Sequence, residues 1–337
     1  MKKKKQDYIT EIFESSKKYD CHLHAVTSEL CFEDERVEQE GAKENENVSK
    51  NSEKKPFIPD FEFATGVSRV LDDDLSARVR QRARDWIGLN FDKFPGATPV
   101  SMSRDNIRLL SEDFLVSWKA DGTRYLMVIL GRDQVYCIGT ACHVFYIEGL
   151  TFPKSVDLGD HLTDVLLDGE MVLDIIDGEK VPRYKEYTFT NLLNYRFMIF
   201  DIILIGEEQV GNYDFRTRYP FIQKKIVAPR QEAIDKELID DKKEPFLISV
   251  KEYFDIGKTI HLVDNGAFLS KVAHKTDGLI FQRASGKKPY YRHGRHRKWT
   301  DLSILKWKPK ELISIDFKLK LRTLNQSQTQ GYNFDKK

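Results

Sequence analysis

Val116-Ser-Trp-Lys-Ala-Asp-Gly-Thr-Arg-Tyr-Leu-Met-Val-Ile-Leu130 sets two apolar, β-favouring runs around a short polar insert. The insert is Lys119-Ala-Asp-Gly122 with Thr123 and Arg124. This pattern predicts strand, tight turn, strand. Asp121-Gly122 supplies the turn, since glycine tolerates positive φ. A lysine is thereby held on a rigid element at the mouth of a sheet. Lys119 is read as a nucleophile rather than a surface charge.

Further strand-borne clusters follow. Gly131-Arg-Asp133 predicts a turn, Gln134 to Ile138 a strand and Val144 to Ile147 another. Val165 to Leu173 reads as a strand with Asp168-Gly-Glu170 at its centre, and glycine inside a strand marks a close approach by ligand or backbone. Asp177-Gly178 reads as a second turn. Phe197 to Leu204 is a nearly continuous apolar strand, of the kind buried on both faces. Its one acid, Asp201, needs a reason. Phe215, Tyr219, Ile222 and Ile226 recur at helical spacing, and a second helix is expected over Thr259 to Val272. Asp277-Gly-Leu-Ile-Phe281 and Ile304-Leu-Lys-Trp-Lys308 read as strands. Many strands with few helices and no βα alternation predict an α+β fold with mainly antiparallel twisted sheets and flanking helices.

Upstream, Asp72 to Leu89 predicts a helix with Leu75, Val79, Trp86 and Leu89 on one face. Its arginines 78, 80, 82 and 84 are read as a solvated face rather than an RNA contact. Phe94 to Val100 breaks the helix and enters the folded region as a loop. Tyr8 to Lys18 suits a short helix, and Glu33 to Lys55, rich in Glu, Lys, Asn and Ser, reads as a disordered linker. The expected division is a linker over 1–70, a catalytic domain over 71–312 and a short segment over 313–337.

The 337 residues suffice for about two domains. With 54 basic and 53 acidic side chains, no global field steers the chain to nucleic acid, so any such contact is local. The four cysteines form no CxxC pair, which argues against a zinc site or a disulfide framework. Cys21-His-Leu-His24 with Cys31 matches no zinc spacing. Lys2 to Lys5 reads as a solvated tail, with a nuclear address as the other reading. No apolar run approaches the roughly 20 residues needed to cross a bilayer, so no membrane partner is expected.

Each cluster alone is common, but together they suit nucleotidyl transfer. A neutral lysine can attack the α-phosphorus of a nucleoside triphosphate. Arg124, Lys306 and Lys308 would favour the neutral amine and bind phosphate. Asp277 would help hold a divalent metal. Glu170 would accept from ribose hydroxyls, and Phe200 would stack on the base. The product is a lysyl–nucleoside monophosphate phosphoramidate, with pyrophosphate released.

This ordered set resembles the covalent nucleotidyltransferase superfamily of mRNA capping enzymes and nucleic-acid ligases. Six strings narrow it: Phe94 to Met102, Val116 to Tyr125, Leu166 to Glu170, Val181-Pro-Arg-Tyr184, Asp277 to Phe281 and Ile304 to Pro309. They resemble the guanylyltransferase part of the animal-type mRNA capping enzyme, from about Trp86 to Leu321. The resemblance implies a nucleotidyltransferase core of the kind ligases share. It makes Lys119 the guanylylated lysine, Arg124 and Glu170 ribose contacts, Phe200 the guanine-stacking aromatic, Asp277 the metal-binding acid, and Lys306 and Lys308 α-phosphate lysines. It also implies GTP as donor, a 5′-diphosphate RNA end as acceptor, Mg2+ or Mn2+, the nucleus, and the RNA polymerase II C-terminal tail as a partner.

Four features depart from the family pattern. Cys137-Ile-Gly-Thr-Ala-Cys142 stands where the family carries Asp-Arg. Lys185 to Arg196 is inserted before Phe197, as a longer hairpin loop, an unusual splice product or a new contact loop. Lys287 to Lys298 is basic and aromatic, and Lys287, Lys288, Arg292 and Arg295 either guide an RNA 5′ end or form a solvated loop. The chain stops soon after Lys308, so only the first strand of an OB-fold lid, Ser314 to Leu321, is expected. No HCxxxxxR phosphatase signature precedes the domain, so RNA triphosphatase activity is not expected. Two other readings stay open: an ATP-dependent ligase of the same superfamily, and a non-catalytic nucleotide- or RNA-binding paralogue.

Overall fold

The computed structural model describes residues 66–88, 93–156, 158–176, 179–180, 195–263, 272–286 and 300–313. Several expectations lie outside these residues: the helix from Tyr8, the linker, the Cys21 to Cys31 group, the Asp177-Gly178 turn, the 181–184 string, the 287–298 loop and the strand over 314–321. Of the 185–196 insertion only Tyr195 and Arg196 are described, and both are strand.

Alternation along the strands builds two sheets. The first contains β1 (Val67–Arg69), β4 (Thr123–Gly131), β5 (Gln134–Gly139), β6 (Val144–Ile147), β7 (Val165–Leu173), β10 (Tyr195–Ile205) and β11 (Leu247–Val250), in the order β1-β6-β5-β4-β7-β10-β11. The second contains β2 (Thr98–Ser101), β3 (Phe114–Ala120), β12 (Phe254–Asp255), β13 (Thr276–Arg283) and β14 (Thr300–Trp307), in the order β12-β3-β13-β14-β2. Two-residue strands β8 (Ile175–Ile176) and β9 (Glu179–Lys180) pair with each other. Among the described residues, only β10 with β11 and β14 with β2 run parallel. The mainly antiparallel α+β architecture is as expected. β1 lies just before the boundary expected at residue 71.

Period two sorts the first sheet's side chains. Tyr125, Met127, Ile129, Val165, Leu167 and Met171 enter one core with Phe197, Ile199 and Ile202. Leu126, Val128 and Leu166 enter the core on the opposite face. The first face is covered by α2 (Phe215–Phe221), a π-turn over Ile222–Val227 and α3 (Ala228–Asp235), through Ile222 and Ile226. Asp201 receives its reason here: both its oxygens accept from Arg218 on α2, at 2.6 and 2.7 Å.

The second face is covered at one end by α1 (Asp73–Ile87). Asp72 caps it by accepting from the Leu75 N–H at 2.9 Å, and Gly88 at φ 77 ends it. Its buried stripe is Ser76, Val79, Ala83 and Ile87, which pushes the expected Leu75 and Trp86 to the margin.

Three expectations change. First, β3 and β4 are not a hairpin: they belong to different sheets, and the chain crosses from one to the other at Asp121-Gly122. The Asp121 N–H donates to the Lys275 carbonyl at 2.9 Å, which keeps β3 with β13. Gly122 is required for space rather than for positive φ, because a Cβ there would overlap the Met171 carbonyl oxygen. Second, the end of the expected 94–100 loop is strand β2. Third, α4 is only Thr259–Val263; residues 264–271 lie outside the described set, and Val272 is not helical. Gly169 within β7 does mark a close approach, made by the Phe197 ring.

Candidate active site

Beyond α1 the second face of the first sheet opens towards the second sheet. Period two carries Leu126 to Arg124 and Leu166 to Asp168 and Glu170, so all three charged side chains face this cleft. Across it, β3 and β13 bring Lys119 opposite Gly278, beside a register shift between Thr276 and Gly278. The shift turns Asp277 towards the lysine. Lys119 Nζ donates to Asp277 Oδ1 at 2.7 Å, and Lys308 Nζ lies 2.7 Å from Oδ2. One carboxylate thus bridges two ammonium groups. Lys306 faces Ile280 across the β13–β14 pair, two residues before Lys308 and on the same side of the strand.

Behind these groups stands Lys251, just past β11. It is 2 % exposed, its Nζ has no hydrogen-bond partner, and it lies 5.2 Å from the centre of the Trp118 ring. Burial pushes its ammonium down to about 8; Glu170 and Asp277 oppose that and Lys119 adds to it. Burial pushes the Glu170 carboxyl up, against Lys251, Lys119, the Gly122 N–H at 3.3 Å and Arg124. The Ser117 hydroxyl, two residues before Lys119, is also buried without a hydrogen-bond partner.

Arg124 is held firmly. Its Nε and one terminal nitrogen donate to the buried Asp168 carboxylate at 2.9 and 2.5 Å, and the other terminal nitrogen donates to the Ala97 carbonyl at 2.5 Å. The guanidinium lies 5.4 Å from the Phe94 ring and 5.5 Å from the Phe200 ring. Beside it lies a cavity of about 560 Å³ lined by Lys93, Phe94, Gly96, Thr98, Arg124 and the turn Thr140 to Cys142. That turn is the stretch expected to lack the family's arginine.

Lys119, Arg124, Glu170, Phe200, Asp277, Lys306 and Lys308 therefore all lie on strands, or just past them, around one cleft. Lys287, Lys288, Arg292 and Arg295 lie outside the described residues. Two expectations about neighbours change. The group against Lys119 is an acid, Asp277, and Arg124 is committed to Asp168. The sequence reading gave no role to Asp168 or Lys251. Asp168 carried the signal used for Asp201, an acid within an apolar strand. Lys251 ends the short β-favouring run Leu247 to Val250, which is too weak a pattern to single out a lysine.

A divalent cation fits this donor set in one way. Among the described residues no group of three or more His, Cys, Asp or Glu could hold a metal. Mg2+ commonly takes one or two carboxylates plus substrate phosphates. Asp277 alone therefore fits a cation that arrives with a nucleotide.

Residues 63–310 match the family described as mRNA capping enzyme, catalytic domain. The mRNA-capping enzyme of Danio rerio is 42% identical over 257 residues, which cover 76% of this chain and 39% of the relative. That of Mus musculus is 38% identical over 334 residues, 94% of this chain and 52% of the relative. The mRNA-capping enzyme subunit alpha of Schizosaccharomyces pombe is 30% identical over 252 residues, 72% of this chain and 57% of the relative. The chain spans about half the length of these curated relatives, or less. It belongs to the mRNA capping enzyme catalytic-domain family.

Proposed function

We propose that the chain is an mRNA guanylyltransferase, with residues 71–312 as its catalytic unit. Lys119 Nζ attacks the α-phosphorus of GTP, the bond to the β-phosphate oxygen breaks, and pyrophosphate leaves. The lysyl-GMP phosphoramidate then passes GMP to a 5′-diphosphate RNA end and frees the lysine. The observation that carries this reading is the lysine pair on Asp277, with an unpartnered buried ammonium behind it. No hydrogen bond in that cluster satisfies the Lys251 ammonium, although Glu170 and Asp277 lie near enough to favour its charge, and a phosphate or base oxygen would accept one.

Each group has work in this scheme. Asp277 Oδ1 accepts the hydrogen bond of Lys119 and is placed to receive the proton the amine must shed. Lys306 and Lys308 meet the charge on the phosphates. Glu170 accepts from ribose, and Arg124, locked by Asp168, stands beside it at a fixed angle. Phe200 stacks on the base. A divalent cation would be held by Asp277 and the nucleotide's own phosphates, and when bound it neutralises phosphate charge. A nuclear site of action and the RNA polymerase II tail as partner go with this reading through the family.

Incubation with α-labelled GTP and Mn2+ tests the proposal. Acid-labile, alkali-stable label on protein, lost in Lys119→Ala, is the expected result. Label from ATP only would indicate a ligase, and no label from either would leave a non-catalytic binding protein.

A further inference from the structure

Behind Trp118 runs a hydrogen-bonded chain that the reaction scheme does not use. The Trp118 indole N–H donates to His274 Nε2 at 3.0 Å. His274 Nδ1 lies 3.4 Å from Asp174 Oδ1. Asp174 Oδ2 accepts from Arg196 Nε at 2.8 Å and from a terminal nitrogen at 2.6 Å. The His274 and Asp174 side chains are both 6% exposed. An indole nitrogen only donates, so Nε2 must be the bare nitrogen, and the imidazole proton sits on Nδ1, facing the carboxylate. All four bonds then run one way, from Trp118 through His274 and twice from Arg196, to Asp174.

This chain also joins the two sheets. Trp118 is on β3, and His274 comes just before β13 of the same sheet. Asp174 follows β7 and Arg196 lies on β10 of the other. Trp118 is the immediate neighbour of Lys119, and its ring carries the Lys251 ammonium. The Lys251 backbone is held by Ile199 and Tyr219, but its Nζ has no hydrogen bond to fix it, so the face of the indole is the contact that can orient the ammonium. Burial against Asp174 is opposed by the hydrogen bonds from His274 and Arg196, which hold its carboxyl below the ordinary range and keep it an acceptor.

We propose that His274 is a positioning residue: backed by Asp174, it fixes Trp118 so that Lys251 stands where it meets the nucleotide. The proposal rests on the guanylyltransferase reading for the identity of the nucleotide, but not for its test. Equilibrium binding of GTP, followed by intrinsic fluorescence, is compared in wild type, His274→Gln and His274→Leu, together with KM and kcat for lysyl-GMP formation. Glutamine can accept from the indole and donate to Asp174; leucine can do neither. His274→Leu is expected to bind GTP roughly tenfold more weakly, the scale of one lost hydrogen bond. The same factor is expected in KM, with kcat within about threefold of wild type. His274→Gln is expected to stay within about threefold in both. The Trp118 indole N–H resonance should shift in His274→Leu alone. Equal affinity in all three proteins, or equal loss in both variants, overturns the proposal. If wild type binds GTP but forms no adduct, the transfer reading fails, and the binding series still decides the role of His274.

Discussion

The two faces of the seven-stranded sheet both bury charge, and they treat it in opposite ways. On the face under α2 and α3 the deep charges among the described residues are matched. Arg218 grips Asp201 through two nitrogens, and Arg230 grips Glu244 at 2.9 and 2.5 Å and also meets the Thr151 carbonyl. On the cleft face Lys119, Lys308 and Lys251 crowd around Asp277 and Glu170, and the Lys251 ammonium has no hydrogen bond. A buried ion pair that is complete is architecture. A buried cation left open costs stability, and the cleft face keeps one where a polyanion would satisfy it.

The contrast breaks first, if it is wrong, at the matched pairs. Arg218→Ala strands Asp201 in the core and should cost about 3–5 kcal/mol in urea unfolding. A loss near that of a surface pair would remove the distinction between the faces.

Lys251→Met should act in the opposite sense. The drop of Lys251 from 10.5 to about 8 corresponds to ~3 kcal/mol held in the apo protein. The variant should therefore unfold about 1–3 kcal/mol later at pH 7 and bind GTP at least about tenfold more weakly. Stability and binding that fall together would make Lys251 a structural group.

The same lysine gives the wild type a pH dependence. Below about pH 8 folded and unfolded chains both carry its proton, and the buried charge costs its full amount. Between about 8 and 10.5 the unfolded chain keeps a proton that the folded chain has released, so stability rises with pH across that window. Unfolding free energies at pH 8 and pH 10, with Lys251→Met as the reference, should show the rise in wild type only.

The smallest effect is reserved for an exposed pair. Lys236, just past the end of α3, and Glu232 on it lie 2.8 Å apart at the surface, and Lys236→Ala should change stability by no more than about 0.5 kcal/mol.

Local pattern made most of the strands legible. β6 and β7 have the ends expected of them, because alternation and flanking turns mark strands directly. The Lys119 turn was legible as a turn but not as a crossing between sheets. The same Asp-Gly signal serves both, and what separates them is the Met171 carbonyl packed against Gly122. Short partners such as β1, β2, β11 and β12 exist because neighbouring strands offer them edges, which no window of sequence displays. The site divides in the same way. Lys119, Glu170, Phe200, Asp277, Lys306 and Lys308 stood in strings that could be read along the chain. Lys251 joins them only through the parallel pairing of β11 with β10, and His274 only through the indole it accepts from.

The most direct test of the open cluster as the seat of chemistry is peptide mass spectrometry of the protein after incubation with GTP and Mn2+. A GMP adduct on Lys119, with Lys251, Lys306 and Lys308 unmodified, is the predicted result. An adduct on a different lysine, or folded, GTP-binding protein that carries none, would contradict it.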